Sequence, residues 1–352
     1  MWRQPILYPL HKVLKYLTRL GIYILSFVFF VEAMNMLSVI LIVVGLFLLV
    51  KCADVFVDGS SNVAKSLGIP SLIIGLTIVA FGTSAPEAAV SITASLQGKN
   101  DISLGNVVGS NLCNLLLVLG CSGLFGTLKA KRKIITRDFV YTIFASVVMF
   151  ILSIGYFVSG GTNGVIDRTD GLILLCFLGI YLYALIGDAI RSSRKSKEEK
   201  EEKTKFDPKD ILRIIIGIAG IILGGQLVVN SATELAEMFN VSDNVIALTI
   251  VAIGTSLPEL VTSVVASKKG ETDIAIGNVV GSNIFNIFFI LGISSFISPI
   301  TYGLESFIDI IIMLFVSVGV YLLILYRHRI GNKKGLLLLG TYASYMIYIL
   351  MR

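Results

Sequence analysis

The sequence predicts an all-α polytopic membrane protein, with ten core transmembrane helices arranged as two inverted five-helix repeats, plus an N-terminal extension. Three observations support this fold class. The 352 residues are 55% hydrophobic and only 15% charged, and their mean hydropathy is +0.87, a composition typical of membrane proteins. Ten apolar stretches are long enough to cross a bilayer, which requires about 20 residues. Two polar strings also recur at one fixed shift of 172 residues (259 − 87).

The ten apolar stretches follow one another after residue 34. We expect transmembrane spans at 36–57, 70–97, 102–125, 138–158, 170–188, 211–230, 243–267, 274–298, 304–326 and 334–351. The second, third, seventh and eighth are longer than needed and carry Gly, Pro, Ser, Thr or Asn. Such interrupted helices are tolerated where neighbours or water satisfy the freed backbone groups, and they point to a transport site.

Basic residues set the expected orientation. Lys and Arg gather after the third, fifth, seventh and ninth spans, and loops of this kind face the cytoplasm. Five spans per repeat is an odd number, so the second repeat should enter the membrane inverted. We therefore divide the chain into a first repeat at 34–190, a charged cytoplasmic loop at 191–210 and a second repeat at 211–352. The net charge of +6 follows from these basic loops and does not indicate nucleic acid binding.

Residues 1–33 precede the first repeat and allow three interpretations. Four basic residues stand before a short apolar run at 20–31, as in a signal peptide. The segment equally fits an additional helix with its amino end inside, or a mis-assigned start with Met34 or Met36 as the true first residue. All three interpretations leave the expected orientation unchanged.

The two repeated strings place polar groups on one helix face. Gly-Thr-Ser-x-Pro-Glu occupies 82–87 and 254–259, and Gly-Asn-Val-Val-Gly-Ser-Asn occupies 105–111 and 277–283. In the second span, Ala80, Thr83, Ser84 and Glu87 follow the i, i+3, i+4, i+7 spacing of one face. Their equivalents in the seventh span are Ala252, Thr255, Ser256 and Glu259, and the third and eighth spans add Ser110, Asn114, Ser282 and Asn286.

The residue types indicate a site for a hard cation. A carboxylate at the centre of a transmembrane helix costs about 2.5–3.5 kcal/mol, so two matched ones call for a compensating charge. Carboxylate, hydroxyl, amide and backbone oxygens suit Ca2+ and Na+. One copy alone could be a kinked helix whose Glu reaches the surface, or Ser and Asn serving only as contacts between helices. Two copies at one shift argue against that alternative.

Prolines and glycines within the strings have expected structural roles. Pro86 and Pro258 remove an intrahelical bond, which should free backbone oxygens of the preceding turn, including those of Ala80 and Ala252. The glycines of the second string should let helices approach closely, at Gly105, Gly109, Gly277 and Gly281.

A charged pair in the first span is not expected to belong to the ion site. The i, i+3 spacing of Lys51 and Asp54 predicts a local pair, and Gln226 stands in place of Asp54 in the second repeat (226 − 172).

The doubled strings resemble the two alpha-repeats of the sodium/calcium exchanger family within the cation/calcium exchanger superfamily, over nearly all of 34–352. The resemblance implies that Glu87 and Glu259 are central ligands for Ca2+ and Na+. The flanking ligands it implies are Thr83, Ser84, Thr255 and Ser256, the backbone oxygens of Ala80 and Ala252, and Ser110, Ser282, Asn114 and Asn286. Potassium-dependent relatives carry Asp where this chain has Asn286, which argues against potassium transport. The proton-coupled branch usually carries a different motif, which favours sodium as the counter-ion.

The resemblance further implies a secondary active transporter, a sodium/calcium antiporter that works by alternating access at a mid-membrane site built on the two Glu residues. The first and sixth spans would slide across an eight-helix core. The alternative is a proton/calcium, or other divalent cation, antiporter. A cation channel is more remote, because the sequence has no filter-like string.

The remaining expectations concern partners and location. We expect no enzyme activity, since a membrane-embedded His and a Gly-x-Ser-x-Gly string are both missing from the sequence. We also expect no cofactor and no nucleic acid partner. Ca2+ and Na+ would be substrates, a monomer in the lipid bilayer would be the functional unit, and the multi-pass chain would lie in the plasma membrane.

Overall fold

Apolar helices make up most of the chain. The computed structural model describes residues 10–155, 164–198, 207–238 and 252–351. Within these ranges the α-helices are α1 Leu10–Leu67, α2 Ser71–Ile74, α3 Ala80–Thr83, α4 Ala85–Leu96, α5 Asn100–Leu112, α6 Leu119–Phe125, α7 Phe139–Ser153, α8 Arg168–Glu198, α9 Pro208–Met238, α10 Ala252–Thr255, α11 Leu257–Lys268, α12 Thr272–Phe285, α13 Gly292–Ile297, α14 Leu304–Leu325 and α15 Asn332–Met351. Short π-helical segments connect several of them, at Gly75–Val79, Cys113–Val118, Ile134–Asp138 and Asn286–Leu291.

Eight helical stretches in the described ranges are long and apolar enough to cross a membrane. They are Met36–Leu67, Ile102–Phe125, Ile134–Ser153, Arg168–Arg194, Pro208–Leu235, Thr272–Ile297, Leu304–Leu325 and Asn332–Met351. A ninth candidate is the bent pair Ser71–Thr83 and Ala85–Leu96, which is long and apolar enough when its two helices are taken as one broken span. Nine predicted spans therefore have a helical counterpart. The other, predicted at 243–267, lies partly outside the described residues.

The second span breaks where its proline predicts. Its two halves differ in direction by 49°, and Ser84, at the break, leaves the helical conformation with ψ of 7°. Pro86 is the second residue of α4, where a missing N–H costs little because the first helical N–H groups have no intrahelical partner. The seventh span repeats the break at Ser256, with ψ of 5°, and Pro258 is the second residue of α11. The predicted interruption is confirmed in the second and seventh spans. The third and eighth spans are instead continuous helical stretches, Ile102–Phe125 and Thr272–Ile297, each with a π-helical segment.

Helices α1 and α9 form a long antiparallel pair. At one end Ser38 Oγ donates a hydrogen bond of 2.7 Å to Glu234, and near the other end Asn62 Nδ2 donates one of 3.1 Å to Asp210. Glycines along both helices let the two backbones touch. These two helices carry the first and sixth predicted spans.

Helix α12 lies at the centre of the molecule. The apolar window of its span, Thr272–Ile297, is 94% buried, against 22% for Met36–Leu67. A Cβ added at Gly277 would lie 3.0 Å from the Gly75 Cα, and one at Gly281 would lie 2.7 Å from the Ala80 Cβ. The expected close helix approach is therefore confirmed at these two glycines. The residues that the repeat would place opposite Gly105 lie outside the described ranges.

Two short strand pairs link distant parts of the chain. Strand β1 (Leu128–Lys129) pairs antiparallel with β4 (Arg329–Ile330), and β2 (Gly164–Ile166) pairs antiparallel with β3 (Ile300–Tyr302). Each pair therefore joins one predicted repeat to the other.

Three sequence-based expectations change in the structure. The predicted loop at 191–210 is shorter, because α8 continues to Glu198 and α9 begins at Pro208; Lys, Arg and Glu are good helix formers. Helix α1 begins at Leu10, so it continues from the N-terminal extension into the first span. The local pair predicted for Asp54 is wrong, because its carboxylate instead contacts Lys269 at 2.8 Å.

Candidate ion-binding site

The two repeated glutamates lie together in the interior. Glu87, in α4, and Glu259, in α11, are both fully buried, and their carboxylates interact electrostatically. Each carboxylate accepts a hydrogen bond from the break of the opposite span. Ser84 Oγ donates to Glu259 Oε1 at 2.8 Å, and Ser256 Oγ donates to Glu87 Oε1 at 3.2 Å. The structure therefore brings four of the predicted site residues into direct contact.

The second oxygen of each carboxylate is unpaired within the described part of the chain. Oε2 of Glu87 and Oε2 of Glu259 are buried and accept no hydrogen bond from the described residues. Among those residues, no Lys, Arg or His forms an ion pair with either glutamate. Buried carboxylates are normally paired or bound to a metal, so this arrangement is suited to a cation from outside the protein.

The two threonines are tied to asparagines of the second string. Thr83 Oγ1 donates to Asn278 Oδ1 at 2.9 Å, and Thr255 Oγ1 donates to Asn106 Oδ1 at 3.4 Å. Thr83 also interacts with the Glu259 carboxylate. Thr83 thus lies beside Glu259, and Thr255 is joined through Asn106 to the helix that carries Glu87.

The polar residues of the third and eighth spans complete the surroundings, with different partners in the two halves. Ser282 Oγ donates to Glu259 Oε1 at 3.3 Å, and Asn286 Nδ2 donates to the side chain of Asn111 at 3.1 Å. In contrast, Ser110 Oγ and both polar atoms of Asn114 are buried without a partner among the described residues, as is Asn286 Oδ1. Unpaired buried oxygens are rare in native interiors and require an explanation.

The carbonyl of Ala80 is less free than the sequence suggested. It accepts a backbone hydrogen bond of 3.0 Å from Ser84 and side-chain bonds of 3.4 Å from Thr83 and Ser282. It therefore lies next to the other site residues but already has protein donors. Ala252, its equivalent, is the first described residue of α10.

Two asparagines with a structural role at this site were not selected from the sequence. Asn106 Nδ2 donates to the Glu87 carbonyl at 3.1 Å and to Ser91 Oγ at 2.8 Å. Asn278 makes the equivalent contacts, to the Glu259 carbonyl at 3.4 Å and to a serine hydroxyl at 2.9 Å. Each asparagine therefore joins a glutamate helix to a threonine of the other half. The unchanged repetition of the second string was the available signal for these residues.

A cavity of about 500 Å3 lies between α9 and the two helix breaks. Its wall on α9 runs from Ile222 to Glu234, and its other walls include Thr255 and both prolines of the helix breaks, Pro86 and Pro258. Polar side chains of α9 line it, namely Gln226, Asn230, Thr233 and Glu234. The cavity therefore adjoins the helix breaks that hold the site and carries polar groups on its α9 side.

The chemistry of the site is that of oxygen donors. The groups around the two carboxylates are hydroxyls, amides and a backbone carbonyl. Within the described ranges there is no group of three or more His, Cys, Asp and Glu residues that could hold a metal ion. Hard cations with flexible coordination, such as Ca2+ and Na+, fit oxygen donors of this kind.

The chain is similar in sequence to known membrane proteins, among them sodium/calcium exchangers. The chain is 31% identical to the sodium/calcium exchanger MaX1 of Methanosarcina acetivorans, over 88% of this chain and 97% of that protein. It is 35% identical to the inner membrane protein YrbG of Escherichia coli strain K12, over 88% of this chain and 96% of that protein. A solved structure of the sodium-calcium exchanger NCX_Mj matches 89% of this chain and 98% of its own, with 30% identity and a TM-score of 0.75.

The family comparison agrees with these likenesses. The sequence profile of the family described as sodium/calcium exchanger protein matches residues 37–187 and 209–351, which together cover most of the chain. The chain therefore belongs to the sodium/calcium exchanger protein family, a family of membrane antiporters.

Proposed function

We propose that this protein is a sodium/calcium antiporter whose ions bind between Glu87 and Glu259. The observation that carries the proposal is the pair of fully buried carboxylates, each with one oxygen that lacks a partner among the residues the structure describes. Two neighbouring negative charges in the interior repel each other and lack solvation. One Ca2+, or two or more Na+, neutralises both charges. Because both cations use the same carboxylates, their binding is mutually exclusive, which couples their transport.

The remaining predicted ligands surround the proposed ions. The unpaired oxygens of Ser110, Asn114 and Asn286 are available to a cation, and they lie on the spans that the sequence selected. Ser84, Ser256, Thr83, Thr255 and Ser282 provide hydroxyl oxygens beside the carboxylates. The carbonyl of Ala80 would become available to an ion if the hydroxyls of Thr83 and Ser282, which contact it at 3.4 Å, turned toward the ion instead. We assign the same role to Ala252 from the repeat alone.

Two inverted five-helix repeats around this site are part of the same proposal. The reciprocal bonds Ser84 to Glu259 and Ser256 to Glu87 join equivalent atoms of the two halves, shifted by 172 residues (256 − 84). The strands β1 and β3 differ by the same shift (300 − 128), and each pairs with the opposite half. An approximate twofold relation of this kind suits a site that must open in turn to both membrane faces.

Transport would follow from alternating access. We propose that the α1–α9 pair moves relative to the other helices and that the bound ion shifts the equilibrium only by its differential affinity for the two states. The site is built within one chain, so we expect the monomer to be the transporting unit. We place the protein in the plasma membrane, with sodium entry driving calcium exit.

The test is calcium-45 uptake by reconstituted vesicles loaded with Na+, Li+ or protons in turn. We expect uptake with internal Na+, and its loss in Glu87→Gln and in Glu259→Gln, since one carboxylate cannot neutralise Ca2+ alone. Glu305→Gln, at an exposed residue at the start of α14, serves as the control and should transport normally. Sodium-driven uptake retained in Glu87→Gln would contradict the site. Uptake driven only by a pH gradient would instead favour the proton/calcium antiporter.

A further inference from the structure

The loop between α11 and α12 contacts helix α1 through the ammonium group of Lys269. Lys269 Nζ lies 2.8 Å from the Asp54 carboxylate and 2.7 Å from the Asp58 carboxylate, and it donates a 3.0 Å hydrogen bond to the Asp54 carbonyl. The Lys269 side chain is 25% exposed, although the two carboxylates are about half exposed. A single ammonium group therefore occupies the space between two acids of α1.

The same loop continues along α1 with a second charged contact. Glu271 accepts a 2.6 Å hydrogen bond from Ser61 and lies 3.6 Å from Lys65. The contacted residues of α1 are Asp54, Asp58, Ser61 and Lys65, whose spacing of four, three and four places them on one helix face. The loop thus fastens α1, one member of the proposed moving pair, to the end of the helix that carries Glu259.

The residues of α1 that Lys269 contacts have equivalents in the second repeat, on helix α9. Asp54 and Asp58 correspond to Gln226 and Asn230 of α9 by the 172-residue shift (226 − 54 and 230 − 58). Gln226 and Asn230 line the cavity that adjoins both helix breaks of the site. Asp54 and Asp58 therefore hold the positions that would line the corresponding path from the opposite end of the α1–α9 pair, where Lys269 now lies.

We propose that Lys269 is a tethered cation that closes the path at the Asp54–Asp58 end and competes there with the transported cation. The inference rests on the proposed antiport function. An ammonium on a flexible four-carbon stem is suited to this role, because it can leave the two carboxylates when Ca2+ replaces it. The basic-loop pattern places this end in the cytoplasm, so Lys269 sets the calcium affinity of the cytoplasmic face.

Removing the Lys269 charge should change the apparent calcium affinity at one membrane face only. Lys269→Gln should lower the half-saturating Ca2+ concentration at the Lys269 face about threefold to tenfold, the range expected for two half-exposed ion pairs. The value at the opposite face should stay the same. The control is Lys268→Gln, which removes the same charge from the adjacent residue, at the end of α11, whose side chain lies over the Phe125 ring. That variant should match the wild type at both faces.

Transport is measured in vesicles sorted by orientation, with Ca2+ varied on one face at a time. In the Asp54→Asn, Asp58→Asn background, Lys269→Gln should have no further effect. Equal shifts at both faces, a shift equal to that of Lys268→Gln, or a full shift in the double-Asn background would overturn the proposal.

A second measurement does not depend on transport. Hydrogen–deuterium exchange at residues 54–67 should be faster in Lys269→Gln than in Lys268→Gln, because removing the ammonium loosens the closed end. Equal exchange in the two variants would also overturn the proposal. If the wild type transports no calcium, the proposed function fails, and the exchange comparison still decides whether Lys269 closes this end.

Discussion

Replacing Gly281 by alanine is expected to damage both packing and ion binding, because this glycine lies where α12 crosses the broken second span. The new Cβ would lie 2.7 Å from the Ala80 Cβ, 2.8 Å from the Leu76 carbonyl oxygen and 3.0 Å from the Leu76 Cα. Ordinary contacts begin at 3.4 Å, so the two helices must separate by about 0.7 Å (3.4 − 2.7). The obstructing atoms belong to the helix itself rather than to a flexible side chain. Overpacking of this kind costs about 1–3 kcal/mol.

Separation of the two helices should also disturb the ion site, because Ser282 follows Gly281 directly. Ser282 donates to Glu259 Oε1 at 3.3 Å and to the Ala80 carbonyl at 3.4 Å, both near the limit of a hydrogen bond. A separation of about 0.7 Å would break both bonds. Since a hydrogen bond to a charged group contributes about 1.5–3 kcal/mol, we expect calcium affinity to fall at least tenfold.

Alanine substitutions at two further glycines, Gly277 and Gly319, provide a graded comparison with Gly281→Ala. A Cβ at Gly277 would lie 3.0 Å from its nearest neighbour, so Gly277→Ala should be milder than Gly281→Ala. Gly319 has no neighbour within 4 Å among the described residues, and Gly319→Ala should keep or slightly raise the melting temperature, since alanine favours helices. The melting temperature in detergent and the calcium-45 uptake of each variant provide the assay. A Gly281→Ala protein as stable and as active as Gly319→Ala would refute the reasoning.

Two other predictions concern the asparagines. Asn278→Ala should lower the melting temperature more than Asn106→Ala. The reason is that the hydrogen bond from Thr83 to Asn278 is 2.9 Å long, whereas the bond from Thr255 to Asn106 is 3.4 Å long. The reverse order of melting temperatures would contradict the role of these asparagines in joining the two halves. Asn286→Asp adds a third acid at a position whose amide now donates to Asn111, so the ion-free protein should be less stable and Ca2+ should raise its melting temperature more than that of the wild type. A calcium-dependent shift no larger than in the wild type would show that Asn286 lies outside the ion site.

The sequence predicts the elements of this fold that depend on local chemistry. The apolar stretches mark the spans because the bilayer requires a minimum apolar length. The helix breaks near Ser84 and Ser256 follow from Pro86 and Pro258, which cannot continue a helix on their N-terminal side. The positions of the site residues on one face follow from helical periodicity alone.

Contacts between distant residues could not be predicted in the same way. Asp54 was assigned a neighbour three residues away, yet its partner lies 215 residues further along the chain. The extent of α8 beyond Arg191 was also missed, because a charged composition is compatible with both a loop and a helix that is already nucleated. The contacts of Asn106 and Asn278 with a glutamate helix and with a threonine of the other half could not be predicted either. Predicting them requires knowing which helices cross, and sequence spacing does not provide that information.

The equivalent residues of the two halves do not have the same partners. Asn286 donates to Asn111, whereas both polar atoms of Asn114 lack a partner among the described residues. Gln226 lines the cavity, whereas its equivalent Asp54 is held by Lys269. Equivalent positions of the two halves therefore have different surroundings. If the proposed alternating access holds, such asymmetry is expected, because a transporter open toward one face has its two equivalent paths in different states.

The kinds of contact around the site indicate which helices are able to move. The glutamate helices are joined by hydrogen bonds between charged and polar groups, as between Ser84 and Glu259. Helix α9 meets the same region through apolar contacts, such as Ile218 Cδ1, which would lie 2.8 Å from a Cβ at Gly82. An apolar side chain sliding over a glycine gives up no hydrogen bond, whereas separating Ser84 from Glu259 would leave a buried carboxylate without its donor. Movement of the α1–α9 pair over the glutamate helices therefore costs less than movement of those helices against each other, provided that the contact between Lys269 and α1 is released.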